Sequence, residues 1–209
     1  IGVEAFEDCT SLTSITIPAS VTSIGSHAFF NCPSLTEINF NATNMSDLAS
    51  GNYVFSNAGQ DSTGITVNIG ENVTRIPAYL FCPYNHSSTY SPKITTVNFI
   101  GNSQCTEIGD RAFSYCYSLT SITIPESVTS IGSWAFQNCS KLATVIIESN
   151  YAYKTATRAT ACGYLLENAT EVRVLISCIG DSTNSYLEDT ANFTKTTSED
   201  ELYYIYTKV

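Results

Sequence analysis

The sequence predicts a β-rich solenoid, an elongated stack of short coils with a parallel β-sheet along one face. Three observations predict it. Residues 1–23, IGVEAFEDCTSLTSITIPASVTS, return as IGDRAFSYCYSLTSITIPESVTS at 108–130, with 17 of 23 positions identical. The Phe of a recurring Ala-Phe pair, and its counterparts, fall at Phe6, Phe29, Phe55, Phe81, Phe113 and Phe136, spaced 23, 26, 26, 32 and 23 residues apart. Within the period, L-T-x-I-x-I alternates apolar and polar residues and is rich in β-branched side chains, as a half-buried strand requires. A period in the twenties marks coils that cannot bury their apolar faces alone and gain stability by stacking. Residues 1–150 are read as the solenoid, and 151–209 as a degraded repeat with a β-rich C-terminal cap.

Each part of the period has a physical reading. The strand segment directs Ile15 and Ile17, Ile38 and Phe40, Val67 and Ile69, Val97 and Phe99, and Ile122 and Ile124 inward. Pro18 and Pro125 end it, because proline has no N–H for a ladder. The following V-T-S-I predicts a short second strand on another side of the coil, with Val21, Ile24, Val128 and Ile131 inward. Gly25, Gly109 and Gly132 are expected to permit a sharp bend. The x-A-F-x-x-C piece is too short for a full helix and is expected to form a single helical or 3-10 turn. In the degraded repeat, GYLLENATEVRVLISCI at 163–179, either Val172 or Val174 can take the first inward position. The closing LYYIYTKV has strong β character, and 151–209 is expected to cover an otherwise bare sheet edge. Because the chain opens inside a repeat, an exposed N-terminal edge is expected, from trimming or from a protein that starts further upstream.

Composition narrows the function. Charged residues make up 13% of the chain, about half the usual share, and the formal net charge is −10. An anionic chain without a Lys/Arg cluster repels phosphate, which argues against nucleic acid and anionic membrane surfaces as partners. No apolar run approaches the roughly 20 residues of a membrane span, and no signal peptide is visible.

The repeat I-G-x-x-A-F-x-x-C-x-x-L-T-S-I-T-I-P-x-S-V-T-S resembles the BspA-type leucine-rich repeat over residues 1–150, weakening at 41–64 and 82–93. The resemblance implies a leucine-rich-repeat solenoid of the right-handed superhelical type. It also implies a secreted or cell-surface protein of a host-associated bacterium, adhesion to a host or bacterial surface protein, and no catalytic residues. A glycan-binding module and a structural stalk remain alternatives, and a monomer is expected.

The eight cysteines do not read as a disulfide framework. Cys9, Cys32, Cys116 and Cys139 share one repeat position, which reads as a stacked ladder of small apolar side chains. Cys162 and Cys178 are the pair that a bridge within the cap would use. No C-x-x-C pair exists and histidines number two, so neither zinc nor another cofactor is expected. His27 and His86 are the available imidazoles, and neither stands in a catalytic pattern.

Binding residues are sought where the pattern leaves polar or aromatic side chains outward. On the sheet these are Glu37, Asn39, Asn68 and Asn98. In the 84–93 insertion they are Tyr84, His86 and Tyr90, and at a variable repeat position Trp134. The insertions at 41–53, 57–64 and 84–93 are the favoured loops, since insertions into repeats map to loops that often line a binding face.

Overall fold

The computed structural model describes residues 1–149, 164–166, 168–175, 193–200 and 202–209. Each coil contributes one strand to the main face: β1 (Ser14–Ile17), β2 (Glu37–Phe40), β3 (Ile65–Ile69), β5 (Ile94–Phe99), β7 (Ser121–Ile124), β9 (Thr144–Ile147) and β10 (Glu171–Leu175). Between them lie two-residue strands β4 (Arg75–Ile76), β6 (Glu107–Ile108) and β8 (Ser130–Ile131), which pair in parallel as a second sheet. The solenoid and its second strand are as the repeat predicts. Register is carried from coil to coil by the inward residues: Ile15 opposite Ile38, Ile38 opposite Val67, Val67 opposite Val97. Val172 pairs with Val145, so Val172 takes the first inward position.

The main sheet is interrupted. β1, β2, β3 and β5 form one ladder, and β7, β9 and β10 continue in another. Two features of the sequence coincide with this seam. From Phe99 to Ile108 the chain takes nine steps, where Ile124 to Ile131 takes seven. The added length forms the Gly101–Gln104 bulge. In addition, the N–H groups of Asn41, Gly70, Ile100 and Glu148 each donate to the preceding coil at 2.8 to 3.0 Å. Pro125 holds the same position at the seam and has no hydrogen to give. A cleft of about 450 Å³ opens there, lined in part by Ser103, Gln104, Pro125, Glu126 and Glu148.

At the C-terminal end the strand direction reverses. β12 (Tyr203–Lys208) pairs antiparallel with β10, and β11 (Phe193–Thr197) pairs antiparallel with β12. The last edge is therefore β11, exposed and polar after Phe193. Such an edge is a poor template for further pairing.

The interior is a column of rings. Phe6, Phe29, Phe55, Phe81, Phe113 and Phe136 stack with centroids 5.1, 5.1, 5.4, 5.2 and 5.5 Å apart. Beside them Cys32, Cys116 and Cys139 are buried, and Cys9 partly so. The Cys32 and Cys139 thiols donate to the carbonyls of Phe6 and Phe113, at 3.1 and 3.2 Å. The six described cysteines are thiols, not disulfides, whereas Cys162 and Cys178 lie outside the described residues.

Two expectations about the turns are corrected. The x-A-F-x-x-C piece is not helical. Two residues before the Phe, and again two after it, the backbone turns left-handed: Glu4 and Asp8, His27 and Asn31, Tyr53 and Asn57, Arg111 and Tyr115, Trp134 and Asn138 all have φ between 46° and 62°. This geometry lets alternate N–H groups reach the next coil, as when His27, Phe29 and Asn31 donate to Asn52, Val54 and Ser56. Gly25, Gly109 and Gly132, by contrast, have no positive φ. They are required by close approach, since a Cβ on Gly109 would sit 2.5 Å from the Ala78 nitrogen, and on Gly25 or Gly132 would overlap the backbone of Val3 or Asp110.

Candidate binding surface

Two outward faces carry the residues picked out from the sequence. On the sheet, Glu37, Asn39, Asn68 and Asn98 come together, but they bond to one another. The Asn68 amide donates to Asn39 Oδ1 at 2.9 Å and to Glu37 Oε1 at 3.1 Å, and the Asn98 amide donates to Asn68 Oδ1 at 3.0 Å. These amides form a ladder that clips coils two, three and four together. A partner at this column would have to replace hydrogen bonds already made.

The opposite arrangement holds on the turn face. Tyr84 and Tyr90 lie in the 84–93 insertion, on two 3-10 turns, Tyr84–His86 and Ser88–Tyr90. His86 closes the first of these turns. The insertion folds back on the third coil: the Ser56 hydroxyl accepts from Tyr84 N at 2.8 Å, Tyr90 O from Asn57 N at 2.7 Å, and Ser91 O from the Gln60 amide at 2.7 Å. The loop is thereby fastened at both ends.

So placed, the two tyrosines complete a closed circuit of five rings. Tyr90 meets Tyr84 at 5.3 Å, Tyr84 meets Tyr53 at 4.9 Å, Tyr53 meets His27 at 5.9 Å, His27 meets Phe30 at 5.1 Å, and Phe30 returns to Tyr90 at 6.4 Å. Three of these contacts join residues remote in sequence: Tyr84 with Tyr53, Tyr53 with His27, and Phe30 with Tyr90. His27 and Tyr53 stand at the same left-handed position of successive coils, which turns both side chains outward. Tyr90 is 36% exposed and the other four rings are half-buried. Rings that are rigid, amphipathic and partly open are what protein interfaces concentrate at their anchors.

Trp134 occupies that same repeat position further along the turn face. The Arg111 guanidinium lies over its ring at 4.4 Å from the centroid. The 41–53 insertion is in part packed rather than outward. The 41–53 segment buries Ala42, Met45 and Leu48, and Asp47 bonds Arg75 at 2.7 Å and the Ala78 N–H at 2.8 Å. Up to Leu48 it is therefore part of the body of the coil, while Tyr53 at its end joins the circuit.

A profile of the BspA type leucine rich repeat region matches residues 1–103 and 86–208, in six copies. The chain belongs to this family. A leucine rich cell surface protein of Faecalibacterium prausnitzii is 28% identical, with 71% of this chain and 42% of that one covered and a TM-score of 0.40. A leucine-rich repeat protein of Bacteroides ovatus is 25% identical, covering 69% and 39%, with a TM-score of 0.39. The leucine rich repeat protein of T. pallidum is 22% identical, covering 64% and 57%, with a TM-score of 0.44. The chain thus spans less than two thirds of each of these proteins. A search of curated proteins returns no match.

Among the described residues no three His, Cys, Asp or Glu side chains are grouped to hold a metal ion, and no helix is long and apolar enough to cross a membrane. Burial pushes the Cys32 and Cys105 thiols up to about 11 and Cys82 to about 12. Such thiols are poor nucleophiles at neutral pH.

Proposed function

We propose that the chain is a non-enzymatic binding module of a secreted or cell-surface protein, which engages a host or bacterial surface protein through its turn face. The observation that carries this reading is the closed circuit of His27, Phe30, Tyr53, Tyr84 and Tyr90. It is built by two coils and a loop fastened to one of them, so little ordering cost remains at binding. We further read 1–150 as the binding solenoid and 151–209 as its cap, acting as a monomer. Of the residues proposed from sequence, Tyr84 and Tyr90 keep their role. The Glu37, Asn39, Asn68 and Asn98 column is reassigned to holding coils together.

A protein partner fits better than a glycan. A sugar platform needs one broad open ring face, and the ring best suited to it, Trp134, is covered by Arg111. Binding to a panel of purified extracellular-matrix and bacterial surface proteins, beside a glycan array, tests this. A protein hit that is lost in the Tyr84→Ala/Tyr90→Ala variant and kept in Asn68→Ala is expected. A hit confined to the glycan array, or one insensitive to both tyrosines, would overturn it.

A further inference from the structure

The circuit lies in a part of the chain with an unusual charge distribution. Residues 1–74 contain no lysine or arginine, yet they carry seven carboxylates: Glu4, Glu7, Asp8, Glu37, Asp47, Asp61 and Glu71. Three of these stand on the first coil's turn, directly beside the circuit. Glu4 N and Asp8 N donate to Ser26 O and Phe30 O, and Asp8 Oδ1 accepts from the Asn31 amide at 2.5 Å. Lys93 follows the Tyr84–Tyr90 loop, but its ammonium is bound to the Ser62 carbonyl at 2.6 Å.

Elsewhere the molecule supplies cations to its own partly open rings. Arg111 covers Trp134, the next member of the same repeat column, and Lys195 lies 4.1 Å from the Tyr204 ring centroid. The column therefore reads His27, Tyr53, Tyr79, Arg111, Trp134. Its C-terminal end holds a ring and a guanidinium, while its N-terminal end holds rings and neighbouring carboxylates.

We propose that the aromatic circuit seats an arginine-rich segment of the protein partner. A guanidinium lies over the tyrosine faces as Arg111 lies over Trp134, and the first coil's carboxylates face the segment's other cations. Arginine fits better than lysine, because its planar and weakly hydrated guanidinium stacks on rings where the compact ammonium keeps its water. The inference rests on the turn face being the binding surface and adds the chemistry of the partner.

The test uses fluorescein-labelled hexa-arginine, hexa-lysine and hexa-glutamate peptides, read by fluorescence anisotropy at about 0.15 M salt, where generic attraction is screened beyond roughly 8 Å. The hexa-arginine peptide is expected to bind about tenfold tighter than hexa-lysine, with no binding of hexa-glutamate. Tyr84→Ala/Tyr90→Ala, which leaves net charge unchanged, is expected to abolish that preference. The single Tyr90→Ala change, at a ring 36% exposed, weakens binding without threatening the fold. Equal binding of arginine and lysine peptides, or unchanged binding by the tyrosine variants, would overturn the proposal. If a panel protein binds through Tyr84 and Tyr90 while hexa-arginine does not, the partner chemistry is wrong and the binding surface stands. If neither binds, both readings fall.

Discussion

Replacing Phe81 with alanine should cost several times more than the same change at Phe6, although both hold one position of one repeat. Phe81 is 1% exposed and stacks on two rings, Phe55 at 5.4 Å and Phe113 at 5.2 Å. Truncating a buried Phe costs about 3–5 kcal/mol, and loss of two stacked contacts, each about 0.5–1.5 kcal/mol, places Phe81→Ala near the upper end. Phe6 is 37% exposed and has one ring neighbour, Phe29, at 5.1 Å. Its loss forfeits only part of the roughly 2–3 kcal/mol of a buried aromatic side chain, or about 1–2 kcal/mol with its single stack. Urea denaturation followed by circular dichroism and by Trp134 fluorescence measures both, and coincident transitions show whether the stack unfolds as one unit. Costs that agree within about 1 kcal/mol would refute the reasoning, because stability would then not come from contacts between neighbouring coils.

Three further outcomes follow from particular residues. Arg111→Gly and Arg111→Ala both delete the contact with Trp134, but at φ 53° the glycine variant should be the more stable by about 1 kcal/mol, the reverse of their order in a helix; thermal melts of the pair check it. The thiols of Cys32, Cys105 and Cys82 titrate higher when folded than their ordinary value of 9.0. Burial favours the neutral form, so their contribution is whole below about pH 9 and is lost as pH rises through about 11 to 12. Melting temperature should fall over that window, less steeply in Cys82→Ala, and equal slopes would contradict the assignment. Asn68→Ala breaks three amide contacts and should cost about 1 kcal/mol in urea denaturation, an exposed ladder contributing modestly.

Much of the fold was legible because the constraint is local and repeated. Alternating Ile and Val positions, Pro after the strand and the Ala-Phe pair are each set by which side of a coil is buried. The left-handed residues two after the Phe left a trace as well, since Asp8, Asn31, Asn57 and Asn138 are the residue types that adopt positive φ most readily. Two before the Phe there was no trace: Glu4, His27, Tyr53, Tyr79, Arg111 and Trp134 share a left-handed backbone but no residue type that asks for one. Gly25 and Gly132 were recognised but misexplained, because the approach of a neighbouring coil is invisible within one repeat. The seam was not anticipated, although two added residues after Phe99 and Pro125 coincide with it. The aromatic circuit was legible only in part. Tyr84 and Tyr90 stood out in a loop, but Tyr53, His27 and Phe30 join them through packing between coils that no motif records.

Hydroxyl-radical footprinting of the chain, free and bound to a partner protein, tests most directly whether the turn face is the binding surface. The account predicts protection of Phe30, Tyr53, Tyr84 and Tyr90, with Trp134 and the β2 and β3 strand residues unchanged. Protection confined to the sheet around Asn39, Asn68 and Asn98, with the tyrosines as reactive as in the free chain, would contradict it.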